Sequence, residues 1–466
     1  MSAPATSAVT TATNNNTQQG TQQRPGAARE KPAALAVDHW KSLYPEKKRR
    51  TPPKGITVFY IDISATGTTI AIKHGNSVIK FWNVETGTLQ ASVKFSAYTE
   101  AHCRSRDYLI RSHAILSDTA KLAAIATRFG RSIEIWNWER KKKLQLIDDV
   151  DRWAAGRFES YEGGWSPVAA YRGEAAQIDL YAATDRAKKP FAKVRTIDLH
   201  RARLPFVPQY PELALSPTSP LLVAAAGPRT PRAGNPPPDR ETLLIVWEIH
   251  DYRDISHEPH RMVRPWQHTE LDTAIPCNLV THGQLVVSIW IPASHRVVSR
   301  PSQKEAGRSE WKLAPTPVPF KHVLVWDMSE NSTRSFGIPN TTACVSPDCR
   351  FVAYCDAGES SPGGGGGGGG AAVAAGDSEA DGETARPRRR KKLAIVDAST
   401  GEELWSVGGS MGSSVGSEDS VRLMEQFGDI SGVTNMDFSA DARFIALGYS
   451  DGNTAVFDVR ELIAKQ

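Results

Sequence analysis

From Gly55 onward the chain reads as short apolar runs separated by Gly, Pro, Asp and Ser. That punctuation marks strands and turns. Four kinds of run recur in a fixed order. The first ends in a polar turn, as in Tyr60-Ile61-Asp62-Ile63-Ser64, Leu213-Ala214-Leu215-Ser216, Ala343-Cys344-Val345-Ser346 and Met436-Asp437-Phe438-Ser439. The second is almost wholly apolar, as in Leu122 to Ala126, Leu221 to Ala225 and Phe351 to Tyr354. The third ends on an aromatic or aliphatic residue beside a small polar one. It occurs seven times, around Trp82-Asn83, Trp136-Asn137, Tyr181, Trp247-Glu248, Trp326-Asp327, Val396-Asp397 and Phe457-Asp458. A more polar fourth run follows, such as Leu89 to Phe95 or Glu403 to Val407. Apolar inner strands with alternating outer ones suit four-stranded sheets stacked around an axis. The pattern predicts an all-β, seven-bladed β-propeller with a disordered N-terminal tail and long loop insertions.

Residues 1–31 consist largely of Thr, Asn, Gln, Ala and Pro with almost no apolar anchors, so they are expected to be disordered. Residues 32–54 form a basic segment, and the propeller is expected over 55–466, with a disordered Gly-rich insertion at 358–392. One count bears on ring closure. After its third strand the last unit has only Glu461 to Gln466 left for an outer strand. An unpaired edge would result. The spare apolar run Ala33 to Trp40, or the segment nearer Pro52, is expected to supply that strand; the alternative is a short surface helix. The copy from about Arg157 to Leu199 departs furthest from the repeat.

These units resemble the WD-repeat family of β-propellers. One unit is nearly complete: Phe438-Ser439-Ala440-Asp441, Ile445-Ala446-Leu447-Gly448, Ser450-Asp451-Gly452 and Val456-Phe457-Asp458 fall in order. No unit opens with the family's Gly-His pair, and only Asp451 supplies its turn aspartate. The buried Asp-His-Ser-Trp network of the family is therefore expected to be absent or replaced. The interval from Trp247 to Trp326 is nearly twice the usual blade of about 40 to 45 residues. Its excess lies in a basic insertion from Pro292 to Phe320. A Pro-rich insertion, Gly227 to Glu241, precedes it, and the 358–392 segment follows. In a propeller all three would decorate one face, where recognition loops commonly sit.

Composition changes this picture little. Apolar residues make up 40% and charged residues 23% of 466. No apolar run is long enough to span a membrane, and the N-terminus lacks the basic start and apolar core of a secretory signal. Five cysteines without CxxC pairing fit reduced intracellular thiols. Cys344, Cys349 and Cys355 are close in sequence, but no second Cys/His pair has finger spacing, so no metal is expected. No phosphate-cradling loop, HExxH or GxSxG occurs, and no cofactor is expected. His113, His282 and His322 stand in strand and turn contexts as structural residues. Leu109-Ile110-Arg111-Ser112 does not supply the paired-arginine motif of phosphoinositide-binding propellers.

The formal net charge of +5 is concentrated in tails and loops. Arg296, Arg300, Lys304, Arg308 and Lys312 form one basic string and are the candidate partner-binding loop residues. A second string runs from Arg386 to Lys392, partly neutralised by Asp377, Glu379, Asp381 and Glu383. Lys47, Lys48, Arg49 and Arg50, flanked by prolines, resemble a nuclear localisation signal, and Thr51-Pro52-Pro53-Lys54 resembles a proline-directed kinase site at Thr51. The run Val421, Leu423, Met424 and Phe427 is expected to cap the propeller's own face, the alternative being a partner helix. The reading is a non-catalytic scaffold for protein–protein contacts, a subunit of a larger nuclear or cytoplasmic assembly. The rival readings are an enzyme using the central channel, and a nucleic-acid-binding protein using the basic loops.

Overall fold

The computed structural model describes residues 35–38, 57–75, 78–95, 111–157, 166–184, 189–229, 231–249, 256–301, 309–356, 391–408, 427 and 430–464, residues 35–38 by their backbone. Seven four-stranded antiparallel sheets form the blades of a propeller. Blade one comprises Val58–Ile63, Thr69–His74, Val78–Asn83 and Leu89–Lys94. Blade two comprises His113–Ser117, Leu122–Thr127, Ser132–Asn137 and Lys142–Asp148. Blade three comprises Arg152–Ala155, Val168–Arg172, Gln177–Ala183 and Phe191–Asp198. Blade four comprises Glu212–Leu215, Leu221–Ala226, Leu243–Glu248 and Arg261–Val263. Blade five comprises Ala274–His282, Leu285–Pro292, Phe320–Asp327 and Ser332–Pro339. Blade six comprises Thr342–Val345, Phe351–Asp356, Lys392–Asp397 and Glu403–Gly408.

Blade seven takes three strands from the end of the chain, Val433–Phe438, Phe444–Tyr449 and Thr454–Asp458. Its outer strand is Leu35–Asp38, antiparallel to the third, with Leu35 opposite Val456 and Asp38 opposite Thr454. The chain after Asp458 forms a short helix, Val459–Ile463, capped by the Asp458 carboxylate. Blade three is regular despite its divergent sequence. Its first strand begins at Arg152, upstream of the expected Arg157, because Trp153-Ala154-Ala155 is a short run with no serine turn behind it.

Turn chemistry explains the repeat. In blades one, four, six and seven the backbone N–H of Ser64, Ser216, Ser346 and Ser439 bonds the carbonyl five residues on, at 2.9–3.0 Å. In blades six and seven the serine hydroxyl also donates to Asp348 or Asp441 at 2.6 Å. The small polar residue ending the third strand is an Asx cap. Asn83, Asn137, Asp327, Asp397 and Asp458 each accept from backbone N–H groups two or three residues on, at 2.7–3.4 Å. Such side chains start turns because they mimic a backbone acceptor.

The core is distributed rather than central. Each of seven buried apolar clusters is shared by two adjacent blades, including one between blades seven and one that holds Val58, Ile61, Ala446 and Val456. Alternate residues of a strand serve different neighbours, as period two requires: Ala169 and Leu180 face blade four, Val168 and Tyr181 face blade two. At the last seam Gly448 lets the blades meet, since a Cβ there would lie 2.4 Å from Val58 Cγ1.

Candidate functional site

The first strands line a central channel with a cavity of about 430 Å³. Connections between second and third strands, and between blades, share its upper face; the remaining turns form the lower face. At the lower end Arg157, in the connection after blade three's first strand, reaches across to blades one and seven. Its guanidinium lies 3.2 Å from Asp62 Oδ1 and 2.7 Å from Asp437 Oδ2, and it donates to the Phe438 carbonyl at 2.8 Å. The same carboxylates stitch inner strands together: Asp62 accepts from Ile115 N at 2.7 Å, Asp437 from Ile63 N at 3.3 Å. Burial pushes both carboxyls above the usual range, while Arg157 pulls them back down. Burial works against the Arg157 cation, but the two aspartates more than compensate and raise its pKa. The lower end is thus held by a satisfied ion cluster.

Nearer the upper mouth, Tyr60, Arg111, Glu212, Asn278, Lys321 and Asn435 face the cavity. Burial pushes the Tyr60 phenol up to about 12 and the Glu212 carboxyl up to about 7, the latter opposed by Arg152 and Arg111. Lys321 donates to the Thr341 carbonyl. No histidine is among the residues lining the described cavity. His113 lies behind it, 3.0 Å from the Ala71 carbonyl through Nε2, and burial pushes its pKa down to about 3. It is a neutral packing residue edge-on to Tyr60.

One Ser–His–carboxylate group lies on the outer part of blade five. Ser335 donates to Glu270, and His268 Nδ1 is 3.2 Å from Ser335 Oγ and 3.6 Å from Glu270 Oε1. Its Nε2 meets Thr333 at 3.1 Å. In a nucleophilic triad the two ring nitrogens separate the hydroxyl from the carboxylate. Here both sit on one nitrogen, and the hydroxyl proton is committed to Glu270. Burial lowers the His322 pKa against the pull of Glu270, the carboxylate neighbour its sequence context did not reveal.

The basic insertion of blade five is a two-stranded ribbon, His295–Pro301 paired with Ser309–Pro315. Its two strands are not legible as such in the sequence, where Pro292 and Pro301 imitate loop punctuation. The register puts Arg296, Val298, Arg300, Glu310 and Lys312 on one face, and Val297, Ser299, Trp311 and Leu313 on the other. Lys312 stands 3.6 Å from Glu310, and Arg296 and Arg300 are exposed. Lys304 and Arg308 lie outside the described residues. The Pro-rich insertion of blade four docks on this ribbon, Gly234 N donating to the Trp311 carbonyl at 2.8 Å. Gly234 has φ +82°, a turn conformation that side chains disfavour. Two of the three insertions therefore form one raised structure on the upper face.

Of the second basic string only Lys391 and Lys392 are described. They bond Ser431 and Glu403. Lys47, Lys48, Arg49, Arg50 and Thr51, with residues 357–390, lie outside the described residues. Phe427 is buried, stacked 4.4 Å from Phe457 and tilted against Trp405, so it packs into the propeller itself, while Val421, Leu423 and Met424 lie outside the described residues. Cys344, Cys349 and Cys355 are buried in apolar clusters, and burial pushes the Cys344 and Cys349 thiols up. Among the described residues no group of three or more His, Cys, Asp or Glu is placed to hold a metal ion. No described helix is long and apolar enough to cross a membrane.

Arg157, Asp62 and Asp437 were missed as a unit. The aspartates carry a signal: Asp62-Ile63-Ser64 and Asp437-Phe438-Ser439 put a carboxylate two residues before the turn serine, where other blades have Ala214 or Cys344. Arg157 carries none.

The fold defines a seven-bladed β-propeller. No protein-family model and no curated protein matches the chain. One similar solved structure is hydrazine synthase of Kuenenia stuttgartiensis, 12% identical over 89% of this chain and 99% of that chain, with a TM-score of 0.44.

Proposed function

We propose that this chain is a divergent WD-type propeller that works as a non-catalytic scaffold for protein–protein contacts within a larger intracellular assembly. The observation that carries this reading is the braced ribbon of blade five. It projects a cationic face and an apolar face from the rim of a rigid ring, and a proline-rich loop stiffens it. Pre-ordered, chemically two-sided surfaces suit partner recognition, because little ordering entropy is lost on binding. The serine turns and Asx caps support the WD-type assignment. The four cations at Lys47 to Arg50 support nuclear entry, with phosphate on Thr51 weakening it by offsetting their positive charge. Nucleic-acid tracking is the less favoured reading, because Trp311 and the ribbon cations project from opposite faces. Base-stacking grooves interleave the two.

Replacing residues 294–316 by a short turn is expected to remove partners recovered by affinity purification from the native cell, while the melting temperature stays within a few degrees. Unchanged recovery would show that the ribbon is not the recognition element.

A further inference from the structure

We infer that the upper face between blades three, four and five docks an acidic peptide segment of a partner protein on two arginines that lie beside exposed aromatic rings. This rests on the scaffold reading above and names the chemistry of the partner. The first arginine is Arg152, at the start of blade three, with its guanidinium 5.8 Å from the ring centre of Tyr210. Tyr210 is 57% exposed and holds φ +53°, a left-handed conformation uncommon for a bulky residue. Its loop is kept in place by three prolines, Pro205, Pro208 and Pro211, and by the Tyr171 hydroxyl, which donates to the Pro208 carbonyl at 3.1 Å.

The second is Arg264, in the connection from blade four to blade five. A tight turn, Trp266 N to Arg264 O at 2.8 Å, folds the chain so that the indole lies over the guanidinium at 3.7 Å. Phe206, from the same loop as Tyr210, lies 5.9 Å from that guanidinium. Trp266 is 46% exposed. Among the described residues the Arg264 side chain has no ion pair, and its Nε is buried without a hydrogen-bond partner. The nearby carboxylates are committed elsewhere: Asp272 to Arg240, Glu270 to Ser335, Glu258 to Arg203.

Arg152 gives one N–H to the Asp151 carbonyl at 2.9 Å and has Glu212 nearby, so its remaining N–H groups, with those of Arg264, are the ones left to grip a carboxylate through parallel bonds. Exposed Trp and Tyr beside Arg are the residue types that dominate binding energy at protein interfaces. The ligand that fits is an extended segment with carboxylates spaced to reach both arginines and apolar side chains to cover Trp266 and Tyr210. Nucleic acid suits the patch less well, because two arginines are too few to track a continuous phosphate backbone.

The test selects random phage-displayed peptides on the full chain and measures binding of synthetic copies of the winners. Enrichment in Asp and Glu is expected, with affinity falling roughly tenfold or more in the double variant Arg152→Gln, Arg264→Gln. Should that variant fail to fold, Arg152→Lys with Arg264→Lys keeps the charge but loses the planar, bidentate fork, and is expected to weaken the same peptides. Winners without acidic residues, or winners that bind the arginine variants as tightly as the parent, would overturn the inference. So would an oligouridylate that displaces the peptides and depends on the same two arginines. The scaffold reading is tested separately: partners lost on ribbon replacement would keep it standing even if the peptide result is negative.

Discussion

Replacing Arg157 by methionine should destabilise the ring by roughly 3–5 kcal/mol at neutral pH, the usual cost of removing one partner from a buried ion cluster. The cation bridges Asp62, Asp437 and the Phe438 carbonyl, tying blade three to blades one and seven. Without it two buried carboxylates confront each other. Burial already holds both pKa values above the ordinary carboxylate range, and losing the arginine raises them further. The folded state then binds more protons than the unfolded one. Stability is therefore fully present below the unfolded carboxylate pKa and lost as pH rises through the raised folded values. Urea unfolding at pH 5 and pH 8 should show the variant much weaker at the higher pH. Adding Asp62→Asn and Asp437→Asn should restore part of the stability and flatten the pH dependence, because an amide oxygen still accepts from Ile115 and Ile63. A single variant that unfolds like the parent at both pH values would remove the cluster from the account.

Deleting residues 1–45 should be the other large effect. It strips the outer strand from blade seven and leaves Thr454–Asp458 as a bare edge. Each lost backbone hydrogen bond costs roughly 1 kcal/mol, so a loss of several kcal/mol is expected. The exposed edge should also promote strand-to-strand association, visible by light scattering. Deleting only residues 1–31 leaves Leu35–Asp38 in place and should not move the melting curve. Equal melting of the parent and the 1–45 deletion would refute closure by this strand.

Much of the ring can be read in the sequence because its turns are chemically local. A serine two residues before an aspartate, or an Asx beside the last strand residue, meets its partners within five residues. Apolar alternation then fixes which neighbour each strand faces. What sequence reading misses acts at a distance. Arg157 finds Asp62 and Asp437 only after seven blades have closed. Glu270 and His322 share a neighbourhood only because one lies in the connection entering blade five and the other in its third strand. The ribbon failed for a different reason: Arg296-Val297-Val298-Ser299 alternates against Trp311-Lys312-Leu313, but prolines at its ends imitate loop punctuation. The arginine stacks depend on two inter-blade connections meeting, which no local pattern encodes.

Recognition is expected on the upper face of an otherwise self-satisfied ring. Lysine cross-linking of the full chain to its partners in the native cell, read by mass spectrometry, tests it most directly. Lys312 on the ribbon and Lys391 beside the blade-six insertion mark the upper face; Lys121, Lys141 and Lys189, in turns between strands, mark the lower. Partner cross-links are expected at Lys312 and Lys391. Cross-links concentrated at Lys121, Lys141 and Lys189 would contradict the account.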